Sequence, residues 1–211
     1  MSLTLSFFPV CYPPHFNIQR ALRVSSPETG DCPLDITFGN DFDVPKHGGR
    51  LHHAIDIFGV PGLNIVATIN GTVVQHWHYS RAKSAGPAAG KSEGGGYYVR
   101  LIDDHGYVHY YAHLHRPPMV GSGDRVPAGQ VIGLLGQTGL AATSCPHLHY
   151  QVRRPLRLSR KRSYSTDIGG NYYSTRGREA VNPYSELVRL CIAAGGRASG
   201  GTHYKISMPM H

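Results

Sequence analysis

Between residues 35 and 152 short apolar runs alternate with glycine turns: DITFG, AIDIFG, NIVATINGTVVQHW, GYYVRLIDD, GYVHYYAHLH, QVIGLLG and HLHYQV. Runs this short, rich in Val, Ile and Tyr, predict β-strands rather than helices. Asn70-Gly71 and His105-Gly106 sit between apolar runs, where hairpin turns are expected. One stretch reads as helix. In NPYSELVRLCIAAGG, Pro183 stands in the first turn, Glu186 follows early, and a glycine pair ends the pattern. The predicted fold is therefore mostly β, antiparallel, with a short C-terminal helix.

Around this frame the pattern weakens. Residues 1–35 have no clear period and carry Pro13-Pro14, Pro27 and Pro33, so an irregular N-terminal extension is expected. The domain then runs over 36–193, with polar insertions at 80–96 (SRAKSAGPAAGKSEGGG) and 158–178, and 194–211 reads as a tail. Gly 26, Pro 15 and only 16% charged residues agree with a turn-rich β domain.

The net charge of +8 favours an anionic partner such as nucleic acid, a membrane surface or an acidic wall polymer. Nucleic acid is disfavoured because no Lys/Arg block is interleaved with aromatics; the densest basic run, RRPLRLSRKR at 153–162, reads as a solvated loop. No run of roughly 18 apolar residues exists, which excludes a helical membrane span. The opening MSLTLSFFPV has neither the basic start nor the apolar length of a signal peptide. Of four cysteines none forms C-x-x-C, which argues against a structural Cys₄ zinc site. Cys11 and Cys32 flank a Pro-rich stretch and are the candidate disulfide, suited to an oxidising compartment, while Cys145 reads as a small buried residue.

The chemistry concentrates in two runs. On a strand, residues two apart share a face, so in SCPHLHYQV His147 and His149 point together while Leu148 enters the core. With 14 histidines in the chain, that spacing alone is weak. In LHHAIDI the residues His52, Ala54 and Asp56 share one parity, and Leu51, His53, Ile55 and Ile57 the other. An imidazole, a small residue and a carboxylate on one face leave room for a metal. His52, Asp56 and one histidine of the H-x-H pair make a His₂-carboxylate set, the three-ligand pattern of catalytic zinc. The remaining histidine would stand beside the open position as a base or donor. A third run, YVHYYAHLH, offers His109, His113 and His115 on one parity, and alternation cannot choose among them.

HHAID, YAHL, GDRVPAGQVIGLLGQTG and CPHLHYQV, in this order, resemble the motifs of the lysostaphin/LytM-type zinc endopeptidases. The resemblance covers about residues 36 to 154, and VNPY at 181–184 is similar to the end of that domain. It implies a barrel-sandwich-like antiparallel groove with zinc on its floor, hydrolysing an amide in a peptidoglycan stem peptide or cross-bridge. By motif it implies His52, Asp56 and His149 as the zinc ligands, and His113 and His147 as catalytic residues beside them. His53, His76, His78, His109 and His115 match nothing. Ala54 stands where the family has glycine, which requires an ordinary negative φ there. In latent members an upstream asparagine occupies the zinc, and Asn40 or the N-terminal extension is the candidate for that role.

The resemblance further implies a peptidoglycan partner and a periplasmic or extracellular, cell-wall-associated location; with the composition, no nucleic acid and no membrane span are expected, and a monomer is favoured. Two other readings compete. A non-catalytic relative that activates another wall hydrolase would be expected to have lost ligands, and this chain keeps all five residues. A lipoyl- or biotinyl-type carrier would need an exposed lysine at a hairpin tip between small apolar residues, which is absent between INGTVV and GDRVPAGQVIGLLG.

Overall fold

The computed structural model describes residues 3–14, 32–46, 48–76, 94–155 and 179–208. The 158–178 insertion, most of the 80–96 insertion, His78 and residues 15–31 of the N-terminal extension lie outside the described residues. In chain order the strands are β1 (Val10–Cys11), β2 (Ile36–Phe38), β3 (Ile55–Phe58), β4 (Asn64–Val66), β5 (Gly71–His76), β6 (Tyr97–Asp103), β7 (Val108–Leu114), β8 (Arg125–Val126), β9 (Val131–Leu134), β10 (His147–Arg153) and β11 (Ala180–Val181). Helix α1 (Tyr184–Ala193) follows, then β12 (Arg197–Gly200) and β13 (His203–Ile206).

All described strand pairs are antiparallel. The large sheet has the order β12-β13-β2-β3-β10-β7-β6-β5-β8, with β11 added on β10, and a small sheet has the order β1-β4-β9. The large sheet is not closed into a barrel. Between the sheets lies one apolar cluster that includes Val10, Ile55, Ile57, Leu63, Ile65, Leu101, Leu148 and Ile132. The alternation in β10 explains its share: Leu148, Tyr150 and Val152 are buried, while His149, Gln151 and Arg153 on the other face are half-buried.

Two local expectations change. His105-Gly106 is a hairpin turn between the paired strands β6 and β7, but Asn70-Gly71 is not one. It passes the chain from β4 in the small sheet to β5 in the large one, and the Asn70 side chain caps Ala128 N–H at 2.8 Å. Gly71 is required there by space, since a Cβ would run into the Leu101 side chain. The stretch expected to be a tail carries the β12–β13 hairpin, which extends the large sheet by pairing β13 with β2.

Helix α1 buries Leu187, Leu190 and Cys191, spaced to share one face. Its Glu186 carboxylate accepts the Leu5 N–H at 3.0 Å, which pins the N-terminal segment to the helix. Beneath β7 and β10 the core holds a closed polar chain. His109 lies between Asp103 (3.2 Å) and the Tyr150 hydroxyl (2.9 Å), and Thr68 joins Tyr150 to Tyr111 at 2.9 and 2.8 Å. Burial pushes the Tyr111 phenol up to about 12, so these hydroxyls stay neutral and serve as hydrogen-bond links.

Candidate metal centre and active site

Strands β3, β10 and β7 lie side by side, and their register assembles the site. His149 of β10 is directly opposite Asp56 of β3 on one side and Ala112 of β7 on the other. Directly opposed residues point to the same face, so carboxylate and imidazole meet without any loop having to bring them together. His52 arrives from just before β3. Ala54, between the two, is fully buried, and its φ is not positive, so it takes the glycine-like position without strain.

Three donor atoms converge. His52 Nε2, Asp56 Oδ1 and His149 Nδ1 form a triangle with edges of 3.1, 3.0 and 3.1 Å. Four-coordinate zinc, with bonds of about 2.0–2.2 Å, spaces its donors about 3.3–3.6 Å apart, so a small adjustment would seat an ion over this triangle. Two imidazoles and a carboxylate are also the donor set that zinc accepts. No other group of three or more potential ligands is found among the described residues.

Around the triangle, charge is already balanced. Burial alone would lower the pKa of His52, but hydrogen bonds to Asp41 and Asp56 outweigh it and hold the ring up at about 9. Burial likewise opposes ionisation of Asp56, yet His149 and His52 beside it keep its carboxyl far below the usual carboxylate range. Metal would take the place of a proton here, so loading would release protons.

His113 and His147 stand next to this set. Their rings meet edge to face at 4.9 Å, His113 lies 5.8 Å from the His149 ring, and His147 Nε2 is 3.9 Å from Asp56 Oδ1. Each donates its Nδ1–H to a backbone carbonyl, His113 to Thr138 at 2.7 Å and His147 to Cys145 at 2.8 Å. Both rings therefore leave a bare Nε2 when neutral. Burial, reinforced by the other histidines, pushes His113 down to about 3, and burial also lowers His147, so neither carries a charge at neutral pH.

The three histidines of the β7 run separate. His109 points into the core, as alternation requires, and is fully buried in the polar chain. His113 shares its parity but has φ 65°, in the left-handed region, and this turn delivers its ring to the site instead. Gly95 holds that turn by accepting the His113 N–H at 2.8 Å, and any side chain there would strike the Tyr110 hydroxyl. His115 lies beyond the strand, and His53 pairs with Asp43 at 2.9 Å away from the triangle.

Other expectations are corrected. Cys32 is bonded to Cys145, not Cys11, and Cys11 is free. β1 carries Cys11 into the small sheet against β4, while Cys32 approaches the loop that enters β10. Cys145 is therefore a cross-link beside the site rather than a filler. Asn40 does not reach the donor triangle; its side-chain oxygen accepts a hydrogen bond from Asn182 at 3.1 Å. Its neighbour Asp41 faces the triangle, 2.9 Å from His52 Nδ1, and Lys46 donates to Asp56 Oδ2 at 3.4 Å. Sequence reasoning missed both residues. Within FGNDFDVPK they look like solvated loop charges, and no spacing marks them out.

Comparison with known proteins places the chain in a family. The model of Peptidase family M23 matches residues 50–165, a span holding the triangle and both neighbouring histidines. The chain belongs to peptidase family M23, and the lysostaphin/LytM-type resemblance read in the sequence is thereby confirmed. It is 34% identical over 124 residues to the glycyl-glycine endopeptidase ALE-1 of Staphylococcus capitis, covering 58% of this chain and 27% of that protein. It is 32% identical over 109 residues to an L-Ala–D-Glu endopeptidase of Bacillus subtilis, covering 49% of this chain and 29% of the relative. The match thus spans under a third of either relative's length. Among solved structures, a putative glycyl-glycine endopeptidase LytM from Ruminococcus gnavus shares the fold, with a TM-score of 0.53, 20% identity, and coverage of 87% of this chain and 59% of that one.

Proposed function

We propose that this protein is a zinc-dependent endopeptidase that hydrolyses an amide bond in peptidoglycan stem peptides or cross-bridges. One observation carries the reading: the His52–Asp56–His149 triangle lies directly against two buried, neutral histidines whose Nε2 atoms are bare. His52, Asp56 and His149 would hold the ion. When bound, zinc supplies Lewis acidity, acidifying water and polarising the scissile carbonyl.

The chain's own residues supply the rest. His147 is the better proton acceptor, because the Asp56 carboxylate 3.9 Å away favours its charged form, whereas His113 is held neutral down to about pH 3. His147 takes a proton from the attacking water at Nε2 and, once protonated, donates it to the leaving amine. The carbonyls of Cys145 and Thr138 keep both rings turned toward the bond being cut.

ALE-1 and the Bacillus subtilis relative bear the names of different bonds, so the bond cut here is found by experiment. Purified sacculi of several chemotypes are digested and the released muropeptides identified by mass. Zinc-dependent release of new amino termini from at least one chemotype is expected. No release from any of them, with zinc bound, would favour a non-catalytic wall-hydrolase regulator.

A further inference from the structure

The loop between β2 and β3 folds back over the metal ligands. It is closed by a bridge between Pro45 and Leu51, by Asp43 N–H donating to the His52 carbonyl at 2.7 Å, and by His52 N–H donating to the Val44 carbonyl at 3.0 Å. Two of its side chains reach inward. Asp41 Oδ2 lies 2.9 Å from His52 Nδ1, which also lies 3.1 Å from the Asp41 carbonyl, and Asp41 Oδ1 accepts the Asp56 N–H at 3.3 Å. Lys46 Nζ donates to Asp56 Oδ2 at 3.4 Å and lies 3.9 Å from Asp41 Oδ2.

We infer that Asp41 and Lys46 are a matched pair of positioning residues that set metal affinity at this site in opposite directions. The inference rests on the metal reading above. Asp41 engages the ring nitrogen of His52 that the triangle does not use. It fixes the proton on Nδ1, leaves Nε2 bare for metal, and adds negative charge behind the ligand. One carboxylate thereby orients His52 through its ring and Asp56 through its backbone. Lys46 occupies the second oxygen of Asp56, so that Oδ1 alone is offered to the ion, and it brings a positive charge that opposes the ion's own.

These roles separate from simple structural support by sign. Damage to the loop would weaken metal binding for either residue, whereas the charge argument demands opposite changes. Zinc affinity is measured by chelator competition on the full chain for wild type, Asp41→Asn, Asp41→Ala and Lys46→Met, and cobalt absorption spectra report the coordination number. The expected result is about 10- to 100-fold weaker zinc binding for Asp41→Ala, a smaller loss for Asp41→Asn, which keeps an acceptor without the charge, and tighter binding for Lys46→Met by roughly tenfold or less. Cobalt in Lys46→Met should show higher coordination as Asp56 Oδ2 becomes free to bind. If Asp41→Ala does not fold, Asp41→Asn carries the comparison. Wild-type affinity in the Asp41 variants, or weaker binding in Lys46→Met, would overturn the inference while the metal site stands. Absence of zinc binding by wild type would overturn the metal reading and the inference together.

Discussion

His147 and His149 are two residues apart on one strand face, and their surroundings differ. His149 Nδ1 is a corner of the donor triangle, whereas the Nδ1–H of His147 is spent on the Cys145 carbonyl and its Nε2 stops 3.9 Å short of Asp56. His147→Ala should therefore lose turnover by a factor of about 10² or more while keeping near-stoichiometric zinc. His149→Ala should lose both. Zinc content by metal analysis, set beside turnover on sacculi, checks this; the reverse pattern would exchange the two assignments. His113 teaches a different lesson at the same scale. Alternation along YVHYYAHLH places it with the core residues His109 and Tyr111, and its positive φ brings it to the donor triangle. A single dihedral decided what the pattern of the run left open.

Elements are held in place by links that no local pattern announces. The Cys32–Cys145 bond joins residues 113 apart and fixes the residue whose carbonyl orients His147. Replacing both cysteines by alanine should lower the unfolding free energy by about 2–4 kcal/mol, and should slow turnover with zinc content unchanged. Denaturant unfolding and metal analysis read the two effects separately. The C-terminal hairpin is tied to β2 through Asp35, which accepts from the Lys205 ammonium at 3.0 Å and the Met208 N–H at 2.9 Å. Partial burial works against ionisation of Asp35, but these hydrogen bonds and the positive charges of Lys205 and Arg197 prevail and lower its pKa. A carboxyl lowered on folding contributes stability that is present above its unfolded pKa of about 3.9 and is lost as pH falls through the folded value. The melting difference between wild type and Asp35→Asn should thus be full at pH 7 and shrink below about pH 4. A difference independent of pH would remove the charge from the explanation.

Across the whole molecule, the site joins two neighbouring strands and the loop before β3, so an ion bound there would stabilise the native sheet. Zinc held at about a thousandfold above its dissociation constant adds about 4 kcal/mol, worth roughly 8–16 °C for a chain of this size. Chelation should lower the melting temperature of wild type and leave that of His149→Ala unmoved; scanning calorimetry with and without chelator tests it. The fold serves the same end. The core lies between the two sheets, the buried Asp103–His109–Tyr150–Thr68–Tyr111 chain fills the underside of β7 and β10, and the opposite face of those strands is left for polar chemistry.

Alternation by itself determined much of this. It set the strands, the inward face of Leu148 and Tyr150, and the shared face of His147 and His149, because period-two patterning is a local property of a pleated strand. The ordered motifs then gave the family, and with it the expectation that separates ligands from catalytic histidines. What only the tertiary structure decided is everything that depends on residues distant in sequence or on one backbone dihedral: the Cys32–Cys145 partnership, the turn at His113, the passage of Asn70-Gly71 between sheets, the hairpin in place of a tail, and the approach of Asp41 and Lys46 to the ligands. Such contacts follow from strand register and loop closure, and an isolated stretch of sequence does not encode the partner it will meet.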